Sequence, residues 1–489
     1  MSLRIFNSQT KKKEEFIPLH EGKVGIYVCG ITAYDVCHVG HARSAVVFDV
    51  VTRYLRYRGY DVTYVKNFTD VDDKIIEKAQ REKKGIAEIS ERYIREHDED
   101  MEALGVARPT ATPRATEHID GMIRLVATLI EKEMAYVVDS DVYYAVEKFP
   151  EYGKLSGRNL GDMLAGARID VNDKKRNPYD FSLWKASKEG EPWWESPWGH
   201  GRPGWHLECS VMSQRYLGDT FDIHGGGEDL VFPHHENEIA QSEGATGKPL
   251  ARYWVHNGFV RVNSEKMSKS LGNFFTIRDI LKQYHPEVLR LFMLQSHYRS
   301  PVDFSDAALN EARQGMDRFY STLKTIRDLL AAGVGGSDSS GEPTAKDREL
   351  IGHLQTLRDR FTEAMDDDFN TARAIGCLFD TIRLLNTSFT GKKTEASPAV
   401  LKQTEETLRE IGAVLGLLIE EPDHYLRLDR EREAEKRGLA VAEIEVLIAE
   451  RRSAREAKEW QRADEIRKGL AARGVILKDS PTATTWTIA

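Results

Sequence analysis

The first sixty-five positions alternate a buried apolar run with a helical stripe. Val24–Cys29 is a short, almost continuous apolar block and reads as a buried strand. From Gly40 to Arg58, the residues Ala42, Val46, Val47, Val50, Val51, Tyr54 and Leu55 recur near helical spacing, and Gly59 follows as a stop. Tyr60–Val65 predicts a second strand. Strand, helix and strand in this order form a βαβ unit, so a parallel sheet with a right-handed crossover is expected. Residues 74–135 predict mostly helix. Residues 140–200 show no clear period and carry Trp184, Trp193, Trp194 and Trp198, with Trp205 just beyond. We read that stretch as an irregular insertion between two halves of the sheet. Thr220–His224 reads as a later strand, running into Gly225-Gly226-Gly227. From Asp306 to about Leu418 the pattern is helical, interrupted by a Gly/Ser/Asp-rich linker at 333–341. After Glu420-Glu421-Pro422 a distinct unit follows, helical from about Val441 to Arg473 and then closing with two short β segments. There is no internal repeat.

Composition narrows the class. At 489 residues the chain is long enough for about three domains. Hydrophobic residues make up 40% and charged residues 30%, as in an ordinary globular protein. Four cysteines (29, 37, 209 and 377) are too few for a disulfide framework in a chain of this size and suit a reducing, cytoplasmic setting. The first residues carry no long apolar segment after Lys11-Lys12-Lys13, so no signal peptide is expected. No apolar run reaches the roughly eighteen residues of a membrane span, and no membrane association is expected. The net charge of −9 excludes a globally basic nucleic-acid binder but leaves room for a local basic face.

The densest chemistry lies in residues 204–238. It comprises Gly204-Trp205-His206-Leu207-Glu208-Cys209, His224 through Asp229, and His234-His235-Glu236-Asn237-Glu238. His234 and Glu238 are spaced i, i+4, which puts both on one helix face. Cysteine, histidine and glutamate are all zinc ligands, and tetrahedral zinc takes four donors. If the strand ending at Cys29 lies beside the segment carrying Cys209, then Cys29, Cys209, His234 and Glu238 form a site. Spacing alone does not choose between His234 and His235. It equally accommodates lone cysteines buried as apolar residues and a polar helix start.

Two further motifs suit a nucleotide. His38-Val39-Gly40-His41 stands where the first strand's loop becomes a helix. Ligands of open α/β sheets bind at the carboxyl ends of strands, and a helix N-terminus there favours anions. Gly40 allows a flat base to approach, and two imidazoles can donate to phosphoryl oxygens. Lys266-Met267-Ser268-Lys269-Ser270 offers two lysines in a polar loop, able to hold a triphosphate as point charges. Surface histidines at a turn and a solvated basic loop are the plainer alternatives. Gly244-Ala245-Thr246-Gly247-Lys248-Pro249 lacks the spacing of a P-loop.

Together the two motifs resemble those of class I aminoacyl-tRNA synthetases, and the surrounding text resembles the cysteinyl-tRNA synthetases. The carrying segments are Tyr27-Val28-Cys29-Gly30-Ile31-Thr32, Asn67 through Ile75, Pro203-Gly204-Trp205-His206-Leu207-Glu208-Cys209-Ser210, Phe232 through Glu238, Lys266–Ser270, and Ala364 through Thr371. The likeness runs from end to end. It implies a Rossmann-type parallel-sheet catalytic domain with an insertion, then an α-helical bundle and a small α+β C-terminal domain. The implied divisions are a first catalytic half at 1–118, a connective insertion at 119–204 and a second catalytic half at 205–250. A stem-contact region with the Lys-Met-Ser-Lys-Ser loop follows at 251–305, then a helical bundle at 306–424 and an anticodon-binding unit at 425–489. The implied activity is ATP-dependent activation of L-cysteine to cysteinyl adenylate, followed by transfer to the terminal adenosine of tRNA(Cys). The likeness implies one zinc per chain on Cys29, Cys209, His234 and Glu238, which favours His234 over His235. It implies that His38, Gly40, His41, Lys266 and Lys269 meet ATP with its magnesium, with Asp229 as a further contact. Cys29, Thr69 and Trp205 are implied for the cysteine pocket.

That chemistry suits these residues. Adenylate formation needs in-line positioning and relief of negative charge rather than a protein nucleophile. Cysteine and serine differ by one atom, and apolar pockets separate near-isosteres poorly. A borderline-soft metal takes a thiolate far better than a hydroxyl. Such a site must keep a position open, and Glu238 is the donor expected to yield most easily. In the C-terminal unit, Arg451, Arg452, Arg455, Lys458, Arg462 and Arg467 surround Trp460. Acidic neighbours make a plain solvated helix the simpler reading of the charges. The resemblance instead implies anticodon contacts from Arg455, Trp460, Asp464 and Asp479. A monomer is expected. The rival readings are a ligase joining cysteine to an amino sugar by the same adenylate, and a non-catalytic tRNA-binding paralogue.

Overall fold

The computed structural model describes residues 2–158, 174–262, 265–266, 274–333, 343–389, 394–479 and 484–488. Its centre is a four-stranded, all-parallel sheet in the order Ala251–Asn257, Phe221–Gly227, Lys23–Thr32, Asp61–Thr69. The first two strands in sequence, Lys23–Thr32 and Asp61–Thr69, flank the helix Val39–Tyr57 as the apolar pattern predicts. That helix buries Ala42, Val46, Val47, Phe48, Val50, Val51, Tyr54 and Leu55, most of one broad face, against the sheet and the helical region beyond. Gly59 follows with φ of 88°, the left-handed conformation that only glycine adopts without strain. The sheet runs on to Asn257, past the expected division at 250. Ala251–Asn257 is therefore an edge strand of the parallel sheet.

The insertion is not irregular. Ala135–Val138, Asp141–Tyr144, Phe181–Ala186 and Gly201–Pro203 form an antiparallel four-stranded sheet in sequence order. The strands are only three to six residues long, and Tyr144 pairs with Phe181 across a long excursion, so no local period marks them. Trp184 is fully buried there and anchors a second core with Leu207, Cys209 and Trp254. A short hairpin, Arg4–Asn7 with Lys12–Glu15, precedes the main sheet and was also without a sequence signal.

Helices Asp306–Ala331, Ala345–Asp366, Thr371–Ser388 and Pro398–Leu415 form the bundle, and its apolar core is continuous with that of the parallel sheet. Arg290 and Asp49, both buried, form an ion pair at 2.6 Å across this junction. The C-terminal unit has its own small core of Ala434, Ile444, Ile448, Ile466, Leu470, Val475 and Trp486. Its helical stretch is two helices, Val441–Glu456 and Trp460–Ala472, rather than one. The break falls at Lys458, with φ of 63°, and no glycine announces it. The strands Val475–Asp479 and Thr484–Ile488 then close the unit as an antiparallel pair.

Candidate active site

Cys29 lies near the carboxyl end of the strand Lys23–Thr32, where the pairing with Asp61–Thr69 shifts register between Val28 and Ile31. Such a bulge re-aims side chains. The next residue must be glycine, because a Cβ on Gly30 would overlap the Asn67 carbonyl. Gly30 N–H also donates to Asn67 Oδ1 at 2.8 Å, which fixes the bend. The helix Trp205–Leu217 brings Cys209 in from the insertion side, and the turn before Glu236–Thr246 brings His234. Glu238 follows one helical turn later.

These four side chains converge. Cys29 Sγ lies 3.5 Å from Cys209 Sγ and 3.3 Å from Glu238 Oε1. His234 Nε2 lies 3.0 Å from the same carboxylate oxygen. Their potential ligand atoms all fall within 4.8 Å of one another, and all four residues are buried. Two sulfurs, one imidazole and one carboxylate in a dry chamber are a donor set able to hold a metal ion. A second quartet, Cys29, His224, His235 and Glu238, meets the same distance test. In it His224 Nε2 is engaged at 2.8 Å by Glu238 Oε2 and His235 Nδ1 at 2.8 Å by His256 Nε2. The two quartets share Cys29 and Glu238, and the first differs in offering a second sulfur donor, Cys209, in place of an imidazole.

Burial and pairing set the charges. The Cys29 thiol is pushed well up, first by burial and then by the neighbouring Cys209 and Glu238. The hydrogen bond from Cys29 outweighs burial at Cys209 and brings that thiol down to about 6. Burial disfavours the charged form of His234, but Glu238 and Cys209 overcome it and lift the imidazole to about 10. Burial also opposes the Glu238 charge, and His224 and His234 hold that carboxyl well below its ordinary range.

Further histidines pack around the donors; the sequence places His206 and His224 in its densest chemistry without giving them this role, and His256 outside it. His224 lies nearly flat against Trp254, at 4.4 Å and 15°, and clamps Glu238 Oε2. His206 Nδ1 meets His234 Nδ1 at 2.8 Å, and His256 Nδ1 meets Ser8 Oγ at 2.8 Å.

Of the four donors Cys29 reaches a cleft of about 330 Å³ at the carboxyl edge of the sheet, lined also by His38, Gly40, His41, Trp205 and Asp229. Trp205, 40% exposed, stacks on His234 at 4.4 Å. His38 caps the helix Val39–Tyr57, its Nδ1 accepting from the N–H groups of Gly40 at 3.0 Å and His41 at 3.4 Å. His41 Nδ1 accepts from His38 N–H at 3.3 Å, and the two rings stack at 3.8 Å. No acidic residue occupies the first turn to cancel the helix dipole.

Other expected residues are not among the described residues that line the cleft. Thr69 is buried, and its hydroxyl donates to Glu208 Oε2 at 2.6 Å rather than lining the cleft. Lys266 pairs with Arg261 through the backbone of a short antiparallel ribbon, while Lys269 falls outside the described residues. In the C-terminal unit Asp479 takes a two-pronged pair from Arg451, at 2.8 Å on each oxygen, and a second arginine, Arg455, at 3.1 Å. Trp460 is 60% exposed, and Asp464 is exposed.

Residues 15–314 match the family model of the class I (C) tRNA synthetase catalytic domain, 360–420 that of the DALR domain, and 438–486 that of the cysteinyl-tRNA ligase anticodon binding domain. The cysteine–tRNA ligase of Geobacter metallireducens is 58% identical over 489 residues, all of both chains. That of Pelobacter propionicus is 56% identical over 496 aligned positions, again all of both. Among solved structures, a methionyl-tRNA synthetase of Mycobacterium tuberculosis in complex with methionyl-adenylate superposes with a TM-score of 0.60 at 18% identity. The superposition covers 86% of this chain and 94% of that one, and it speaks to the fold alone.

Proposed function

The chain belongs to the cysteine–tRNA ligase family of class I aminoacyl-tRNA synthetases, and from that premise we propose how its residues divide the work. ATP and L-cysteine meet in the cleft, cysteinyl adenylate and pyrophosphate form there, and the terminal adenosine of tRNA(Cys) then takes the cysteinyl group. The observation that carries this reading is one cleft lined both by the histidine-capped helix N-terminus and by Cys29 and Trp205, the residues through which the buried thiol-imidazole-carboxylate cluster reaches it. The full-length identity to cysteine–tRNA ligases, anticodon-binding unit included, favours neither an amino-sugar ligase nor a non-catalytic paralogue.

Cys29, Cys209, His234 and Glu238 hold a zinc ion, which when bound supplies a soft electrophile that prefers the substrate thiolate to a serine hydroxyl. His224 holds Glu238 Oε2, so only Oε1 faces the sulfurs. Trp205 covers His234 from the cleft side and shields the cluster from water.

His38 and His41 act on phosphate. Each uses Nδ1 as an acceptor of a backbone N–H, so in the neutral ring the proton resides on Nε2. Both rings are thereby set as hydrogen-bond donors, suited to oxygens that gain charge as the α-phosphate is attacked. The helix N-terminus behind them adds its dipole. Gly40 leaves room for the adenine ring, Asp229 contacts the ribose or the substrate amine, and Lys266 and Lys269 neutralise the leaving pyrophosphate together with magnesium. Thr69 supports the pocket indirectly, by holding Glu208. Arg455, Trp460, Asp464 and Asp479 read the anticodon, and the protein works in the cytoplasm, where its buried thiols stay reduced. Cysteine-dependent pyrophosphate exchange, followed by charging of tRNA with labelled cysteine, tests the assignment. Exchange without charging would point to the sugar ligase, and neither activity to the paralogue.

A further inference from the structure

A second cavity, of about 350 Å³, lies between the strand Asp61–Thr69, the helix Ile86–Ala103 and the loop at 105–112. Tyr64, Lys66 and Phe68 are alternate positions of that strand and so share the face turned to it. Lys66 is the one lining residue common to this cavity and the catalytic cleft, so its side chain stands in the partition between them. The remaining lining is largely apolar and includes Met101, Val106 and Pro109.

The other charges of the cavity are paired. Arg108 meets Glu102 at 3.4 Å and Asp98 meets His97 at 3.1 Å. The Lys66 ammonium has no hydrogen bond or salt bridge among the described residues, though Asp98 and the Cys37 thiol lie near enough to act on it. His97 is only 6% exposed, and its Nε2 has no hydrogen-bond partner. A largely apolar cavity with one unpaired cation and one orphaned ring nitrogen has the make-up of a small-molecule site. A single ammonium with the Asp98 carboxylate near it suits a monoanion better than a phosphate.

We propose that this cavity is an effector site for a small aromatic carboxylate, whose ring lies among Tyr64, Phe68 and Met101, whose carboxylate pairs with Lys66, and whose binding weakens that of ATP in the adjoining cleft. The coupling is electrostatic. An anion on the cavity side neutralises a positive charge in the wall of a cleft that receives a polyanion. By linkage ATP weakens the effector by the same factor.

The probe is 2-naphthoate, with 2-naphthamide as its uncharged counterpart, titrated calorimetrically into the full-length protein with and without ATP. Saturable binding of naphthoate is expected, with the apparent Kd for ATP rising to a plateau about fivefold higher, the low end of typical coupling. Lys66→Met should weaken naphthoate about tenfold, the worth of one charged hydrogen bond, while sparing the amide and abolishing the plateau. Ala107→Trp and Thr112→Trp fill the cavity from different positions of the loop. Each variant that keeps its circular dichroism spectrum should lose both probes. The proposal is overturned by no saturable binding, by naphthoate affinity indifferent to Lys66→Met, or by full binding to a folded tryptophan variant. An apparent Kd for ATP that climbs without a plateau would also overturn it, because the probe would then be competing inside the cleft.

Discussion

The metal-donor cluster and the C-terminal unit hold their charges under opposite conditions. Cys29, Cys209, His234 and Glu238 are buried; the Cys29 thiol is pushed up, and the charged forms of Cys209, His234 and Glu238 persist because buried neighbours, His224 among them, offset the burial. In the C-terminal unit Trp460 is 60% exposed, and the side chains of Arg455 and Asp479 are 45% and 37% exposed. Water can solvate those groups in the absence of a partner. A buried cluster therefore announces its chemistry through its internal geometry, whereas an exposed recognition surface takes its meaning from what lands on it. Losing one member should cost far more in the first region than in the second.

The harshest test of that difference is Cys209→Ser. Outer partners of metal ligands alone are worth about 10–100-fold in metal affinity, so loss of a ligand should exceed about 100-fold. Metal content by atomic absorption and cysteine-dependent pyrophosphate exchange should fall together. Full metal content in that variant would sink the four-donor assignment.

Next in size is His224→Leu, which removes the clamp on Glu238 Oε2. Chelator competition should show metal affinity down by about 10–100-fold. Without metal the same cluster makes stability depend on pH. Glu238 is held below its ordinary range, so its contribution is present above the unfolded carboxylate pKa of about 4.3 and is lost as pH falls. His234 is raised to about 10, so its contribution is full below the unfolded value and fades as pH climbs toward that number. The metal-free wild type should thus melt highest between about pH 4.3 and the unfolded imidazole value of about 6.5. A melting temperature flat across pH 4–10 would mean that the pair is not charged when metal is absent, and His224→Leu should shrink the acid-side drop.

Which of these features the sequence could foretell follows from how local each one is. The stripe from Ala42 to Leu55 reports its burial within one helix, and the structure buries those residues. The His234–Glu238 spacing is equally local, and the two side chains do meet. His206, His224 and His256 are dispersed over separate elements, and only the folded chain brings them against His234, Glu238 and His235 respectively. The antiparallel sheet of the insertion failed for the same reason, since strands as short as Gly201–Pro203 hold too few residues to display a period of two. Lys458 breaks a helical pattern with a lysine in the left-handed region, where the usual marker is glycine or asparagine.

On the exposed side, Trp460→Ala should leave pyrophosphate exchange and thermal stability unchanged, because its ring is largely in water. It should weaken tRNA charging by about 1–3 kcal/mol if an unpaired base stacks there. That loss should persist at raised salt, unlike a loss of phosphate contacts. Unchanged charging would return the surface to an ordinary solvated helix.

The smallest expected effect is on stability, in Asp479→Asn. Hydrogen bonds from Arg451 lead the causes that hold this carboxyl below its ordinary range, with Thr484 and the charges of Arg451 and Arg455 adding to them. A carboxyl depressed in the folded state contributes stability above its unfolded pKa of about 3.9 and loses it as pH falls further. Solvent screening at a side chain 37% exposed limits that contribution to under about 1 kcal/mol. Chemical denaturation of the wild type and of Asp479→Asn should therefore differ slightly at neutral pH and converge in acid. Arg451 is the reason the difference is not zero, because its side chain is only 6% exposed and keeps its charge without its partner. If the substitution instead cost several kcal/mol at neutral pH, the C-terminal pair would behave like the buried cluster, and the contrast between the two regions would fail at this point. If stability were unchanged while tRNA charging fell, Asp479 would act chiefly on the RNA, with its arginines holding it in position for a base edge.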